Sequence, residues 1–196
     1  MRVRDPDKEH AIREQALDMI VAQGFDGLSM QKLAKAAGVS PATIYIYFKN
    51  RDDLIVSLYR EEARKMAELT LDGFDPGMSF ADGLRLQWNN RARYCMAHPK
   101  RMHFMEQIRY SPFYARESAR RSSFAATMCT FVESCIRRGE LIRIPVEVYW
   151  AVAFAPLYQL VKFHMHGRGL PGTGPFALDS KILNLSLSLV LKALTP

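Results

Sequence analysis

The chain has 196 residues, is 48% hydrophobic and 24% charged, and carries a net charge of +7. That length and balance suit one medium domain or two small ones sharing a core, and they exclude a disordered or fibrous chain. No run reaches the roughly 18 apolar residues of a membrane span, and the charged start MRVRDPDKEHAIREQ lacks the apolar centre of a signal peptide, which points to a cytoplasmic protein with no membrane partner. The positive charge does not by itself locate a polyanion site. Residues 1–50 hold seven Lys/Arg against six Asp/Glu and residues 51–100 hold eight of each, so the excess lies further on, at eight against five over 101–150 and four against one over 151–196.

The first element starts at Asp5-Pro6-Asp7, where a capping aspartate precedes a proline at N1 and an acid in the first turn. It is expected to run to about Gln23, with Ile12, Ala16, Met19, Ile20 and Gln23 on one face, and to end at Gly24. Phe25 and Leu28 then plug a small core. From Ser29 to Arg51 the sequence SMQKLAKAAGVSPATIYIYFKNR reads as two short helices about a tight turn. Leu33, Ala37, Val39, Ile44 and Tyr47 supply a shared apolar seam, Ala34 is small where the second helix must pass, and Gly38 sits where the chain reverses. Ser40 before Pro41 pairs an N-cap with a proline at the first helical position. Helix, glycine turn and capped helix make a helix-turn-helix, a motif used mostly for the DNA major groove.

A fourth helix is predicted from about Arg51 to Asp72, and GFDPGMS (Gly73 to Ser79) is the clearest boundary in the chain. Further helices are expected at about 79–97, 99–110, 113–138, 146–167 and 177–194, with near-zero strand content. Pro156 should kink or break the helix it sits in. The last two helices, which contain VYWAVAFAPLYQLVKFHM and ILNLSLSLVLKAL, are apolar on nearly every side and so are buried within the chain or against another copy of it. GRGLPGTGP (Gly167 to Pro175) reads as a flexible loop. Cys95, Cys129 and Cys135 lie in helical segments without CxxC spacing and read as reduced, packed small hydrophobes, with a redox sensor as the alternative.

The run Thr43-Ile44-Tyr45-Ile46-Tyr47-Phe48-Lys49-Asn50-Arg51-Asp52-Asp53-Leu54 is similar to the recognition helix of the TetR family of transcriptional regulators and its exit into a long fourth helix. Gly24 to Met30 resembles that family's connection between its first two helices. The motif resemblance covers about the first quarter of the chain; over the rest, the length and helical layout are similar. It implies an all-α protein with a three-helix helix-turn-helix DNA-binding domain over 1–50, continuing into a connector helix 51–72, and a helical effector-binding and dimerisation domain over 73–196.

The same resemblance implies a double-stranded DNA operator, a homodimer formed through the last two helices, and a small-molecule effector that changes the spacing of the paired DNA heads. Ser29 and Gln31 at the start of the second helix would reach a phosphate or base edge, Gln31 being able to make a bidentate contact to adenine. Ser40 and Pro41 open the recognition helix. Positions matching Ala42, Thr43 and Tyr45 approach bases or the adjacent backbone, and those matching Tyr47, Lys49 and Arg51 tend towards phosphates. Tyr47 stands where the family often has histidine, and its spacing also fits the rim of the apolar seam. Repression is the commoner mode of the family, and nothing in the sequence separates it from activation.

Large apolar and aromatic residues recur between Phe80 and Phe163. Most read as ordinary core. The resemblance makes Trp88, Arg91, Tyr94, Phe104, Met105, Arg109, Phe124, Met128, Phe131, Trp150, Phe154 and Tyr158 the candidate lining of an effector pocket. Arg91, Arg93, His103, Arg109, Arg120 and Arg121 are the candidates for holding an anionic group.

An enzyme is not expected. His98 and His103 are five apart and His164 and His166 two apart, spacings that do not stack two imidazoles on one helical face. HExxH, GxSxG, Walker and dinucleotide patterns are missing, so no metal, cofactor or catalytic group is assigned. The competing reading is a helical protein-interaction module that keeps the helix-turn-helix only as scaffold.

Overall fold

A computed structural model describes residues 5–117 and 123–196. The described residues form α1 (Pro6–Gly27), α2 (Met30–Ala36), α3 (Pro41–Tyr47), α4 (Arg51–Thr70), α5 (Phe80–Ala97), α6 (Pro99–Arg109), α7 (Pro112–Glu117), α8 (Ser123–Arg137), α9 (Val146–His166) and α10 (Ser180–Leu194). No strand occurs among them, and the one β-bridge joins Arg168 to Pro175 across the glycine-rich loop. The all-α class is therefore as expected.

Local chemistry accounts for most helix ends. The Asp5 carboxylate accepts hydrogen bonds from the backbone amides of Asp7 (3.0 Å) and Lys8 (3.4 Å), ahead of Pro6 at the first helical turn. Gly24 does break the first helix, but as a kink: its φ of 71° and ψ of −179° interrupt α1, and a last turn follows to Gly27. Of the helix predicted over 113–138, α7 and α8 are described and 118–122 lie outside the described residues. The helix α9 runs from Val146 to His166 with Pro156 inside it, so of the kink or break expected there a break does not occur.

The chain divides into two compact units, one of residues 1–65 with 98–120 and the other of residues 66–97 with 121–196. In the first, α1 to α4 close around Ile12, Leu17, Ile20, Leu33, Ala34, Ile44, Phe48, Leu54 and Leu58, and α6 adds Phe104 and Ile108 to the same core. Each of the leucine, isoleucine and phenylalanine side chains contributes about 1.5–3 kcal/mol by leaving water. A network of ions ties α1, α4 and α6 together. Arg101 holds Glu14 at 2.7 Å and also Glu62, a carboxylate only 1% exposed. Lys65 reaches Glu61 (2.7 Å) and Glu62 (3.4 Å), and Arg13 joins Glu9 (2.8 Å) to Glu61 (3.2 Å).

The second unit packs α5, α8, α9 and α10. The Trp88 indole donates to the Ala153 carbonyl (2.8 Å), which fixes α5 on α9. Asn90 donates to the carbonyls of Thr70 (3.2 Å) and Asp72 (2.9 Å) and so caps the exit of α4. The Phe131 ring lies edge-on to Phe74 and stacks on Phe80, with centroids 5.1 and 6.3 Å away. This close approach needs a glycine at 83, because a Cβ there would meet the Phe131 ring at 2.6 Å.

Candidate nucleic-acid interface

The head is built from α2, the turn at Gly38 and α3. Gly38 has a φ of 66°, the left-handed conformation that lets the chain reverse between the two helices. Ile44 is fully buried on the inner side of α3, and Ala37, Val39 and Tyr47 pack against the same core. With that side fixed, Pro41, Ala42 and Tyr45 are left on the outside, Tyr45 being 54% exposed. Gln31 and Lys49 are also exposed.

Both short helices begin at capped amino termini. Ser29 Oγ accepts from the Lys32 amide (3.2 Å) and Ser40 Oγ accepts from the Thr43 amide (3.2 Å). Ser40 also shares a hydrogen bond with the Thr43 hydroxyl at 2.9 Å, so Thr43 is half-buried and its polar atom is held locally. These serines set where the helices start, and each hydroxyl keeps capacity for a further partner.

Tyr47 and Arg51, expected towards phosphates, have their polar groups engaged inside the head. The Tyr47 hydroxyl donates to the Asp5 carbonyl (3.1 Å) and accepts from the Asp5 amide (2.9 Å), which ties the end of α3 to the start of α1. Arg51 donates through Nε to the Leu28 carbonyl (3.0 Å) and through Nη2 to the Phe25 carbonyl. It thereby clamps the connection between α1 and α2 from the first turn of α4. The Asn50 side chain accepts from the Asp53 amide (2.9 Å) while the Asp53 carboxylate accepts from the Lys49 amide (2.9 Å), a reciprocal cap that fixes Lys49 at the foot of α3.

The candidate effector residues fall into both units. Phe104 is part of the head core, Met105 packs against it, and Arg109 is exposed on the same helix. In the second unit, Trp88 and Phe131 are fully buried, and Tyr94 and Met128 nearly so. Arg91 stands among the remaining four. Its guanidinium lies 4.4 Å from the Phe154 ring centroid, 5.3 Å from Trp150 and 5.5 Å from Phe124, and donates to the Tyr158 hydroxyl at 2.6 Å. Of the other candidate anion holders, Arg93 and His103 are exposed, and Arg120 and Arg121 lie outside the described residues.

Comparison with known proteins gives this geometry a family. Residues 12–58 match the model of the bacterial regulatory proteins of the tetR family, a span that holds α2, α3 and most of the core beneath them. The fatty acid metabolism regulator protein of Bacillus subtilis is 39% identical over 57 residues, 29% of each chain. An uncharacterised helix-turn-helix transcriptional regulator of Haemophilus influenzae is 36% identical over 99 residues, 50% of this chain and 52% of that one. The alignments thus span between about a third and half of these curated relatives. A crystal structure of a TetR family regulator from Marinobacter aquaeolei superposes over 99% of this chain and 98% of its own, with a TM-score of 0.84 and 29% identity. Residues 12–58 thus carry the DNA-binding domain of the bacterial regulatory proteins of the tetR family, in a chain similar over nearly its whole length to a TetR family regulator.

Proposed function

We propose that the protein is a sequence-specific DNA-binding transcriptional regulator, a homodimeric repressor released by a small molecule. The observation that carries this reading is the outer edge of the head, where Gln31, Pro41, Ala42 and Tyr45 are exposed on two capped helices whose inner side is committed to the core, with Lys49 exposed just beyond the second. Gln31 suits adenine, Ala42 suits a thymine methyl, and Lys49 suits a phosphate. The edge carries little base-specific chemistry, so shape and the spacing of two heads supply much of the selectivity.

Dimerisation through α9 and α10 is supported by what one subunit leaves uncovered. Leu185 and Leu189, one turn apart on α10, are 63% and 58% exposed, and Val146 and Val148 of α9 are exposed as well. A two-fold pair would set its recognition helices about 34–36 Å apart, or a multiple of it, for successive major grooves.

Site selection from a random duplex library tests the reading. The regulator is expected to enrich a (pseudo)palindrome, and Tyr45→Ala to lose it while keeping its fold. A folded protein that enriches nothing at low or moderate salt favours the interaction-scaffold alternative.

A further inference from the structure

The two units treat buried charge differently. In the head, Glu62 is buried but paired with both Arg101 and Lys65. In the second unit, Arg91 is 2% exposed, and its Nε and Nη2 have no hydrogen-bond partner among the described residues. Among the described residues its one hydrogen bond goes from Nη1 to the Tyr158 hydroxyl, and aromatic rings lie over its faces. A desolvated cation without an anion is among the costlier features a fold can carry, and three aromatic faces repay only part of it.

The unpartnered atoms are not scattered. Nε and Nη2 form the side edge of the guanidinium, the edge that meets both oxygens of a carboxylate in two parallel hydrogen bonds. One turn earlier on α5, Gln87 is fully buried, and neither its amide nitrogen nor its oxygen is paired among the described residues. Residues four apart share a helix face, so this amide lies on the same side as Arg91. The Tyr149 hydroxyl, like Thr70 Oγ1 at the end of α4, is also buried without a partner among the described residues. The Arg91 charge acts on that phenol and Tyr149 packs edge-on against Phe154, which places both in one cluster. Phe124, Trp150 and Tyr158 are only half-buried, so the aromatic wall continues from the buried guanidinium towards solvent.

We propose that Arg91 is the anchor for a monocarboxylate with an apolar body, its carboxylate held side-on by Nε and Nη2 with Gln87 alongside, and its body lying against Phe124, Trp150 and Phe154. A carboxylate satisfies the fork without displacing the Tyr158 bond. That this ligand is the effector rests on the regulator reading above; that it binds does not.

The test uses the intact protein with straight-chain carboxylates of four to twelve carbons, benzoate and phenylacetate, each beside its primary amide. Tryptophan fluorescence reports binding, since Trp150 is one of only two tryptophans in the chain and lies against the Arg91 guanidinium, and the melting temperature reports stabilisation. At least one acid should quench fluorescence and raise the Tm, with its amide about 30-fold or more weaker. Arg91→Met, which removes the buried charge at similar length, should abolish the preference for the acid without lowering the ligand-free Tm. Arg91→Lys, which keeps the charge and loses the fork, should weaken acid binding and covers the case in which Arg91→Met does not fold. No response to any acid, equal binding of acid and amide, or undiminished acid binding in the variants would overturn the proposal. Operator binding measured on the same samples keeps the two readings apart. Acid binding without DNA binding overturns the regulator and leaves the site, and DNA binding without acid binding does the reverse.

Discussion

Lys49 and Arg51 are two residues apart and both basic, yet their surroundings assign them different work. Arg51 spends its donors on the carbonyls of Phe25 and Leu28, so Arg51→Ala takes the donor from the Leu28 carbonyl, leaves the Phe25 carbonyl with the Leu28 amide, and should cost about 1–3 kcal/mol of stability. Lys49 is exposed, and Lys49→Ala should leave the Tm within error while lowering the salt dependence of DNA binding by about 0.9 in slope per head. Thermal melts and a salt titration of the two variants check this division. The cysteines separate in the same way. Burial pushes the Cys95 thiol up to about 12 and Cys135 to about 11, while Cys129 is exposed on α8 instead of packed inside as the sequence suggested. Native protein at pH 8 should therefore react with a disulfide reagent at one thiol, and unfolded protein at three; rapid reaction of a second native thiol would contradict the burial.

Among the elements, α5 shows two effects that compete within one residue. Gly83→Ala gains about 1 kcal/mol of helix propensity, but its Cβ at 2.6 Å from the Phe131 ring forces an overpacking cost of about 1–3 kcal/mol. The ring is wedged against Phe74 and Phe80, so it has little room to yield, and a lower Tm is expected. In the head, the ion network gives a pH dependence of known sign. Burial raises the Glu61 carboxyl, but the Lys65 hydrogen bond and the charges of Arg13, Lys65 and Arg64 outweigh it and hold the group below its ordinary 4.5. Stability from a depressed carboxylate is complete above pH 4.5 and is lost as pH falls through the folded value, so Glu61→Gln should flatten the fall of Tm below pH 4.5. The helices themselves were legible because their signals are local: Ser40 before Pro41, Gly38 at the turn, the small Ala34 at the crossing. The contacts that set Tyr47 and Arg51 were not, since each reaches a residue more than twenty positions away. Arg91 was among the candidates through the family resemblance, but its burial and the part of Gln87 were hidden, because a glutamine and an arginine one turn apart look the same in sequence whether solvated or buried.

Readout of two successive major grooves requires two copies of the chain. Leu185→Glu would place a charge in an apolar face of α10 and should convert a dimer to a monomer by sedimentation, with operator affinity falling in parallel; a variant that remains dimeric would move the interface elsewhere. The central claim is sequence-specific readout by the outer edge of the head. It is tested most directly by comparing wild type and Tyr45→Ala on the selected duplex and on a scrambled one at fixed salt. The wild type should prefer its selected site by about 10³-fold or more. Tyr45→Ala should lose most of that ratio at unchanged Tm. Equal wild-type affinity for the selected and scrambled duplexes would contradict the account.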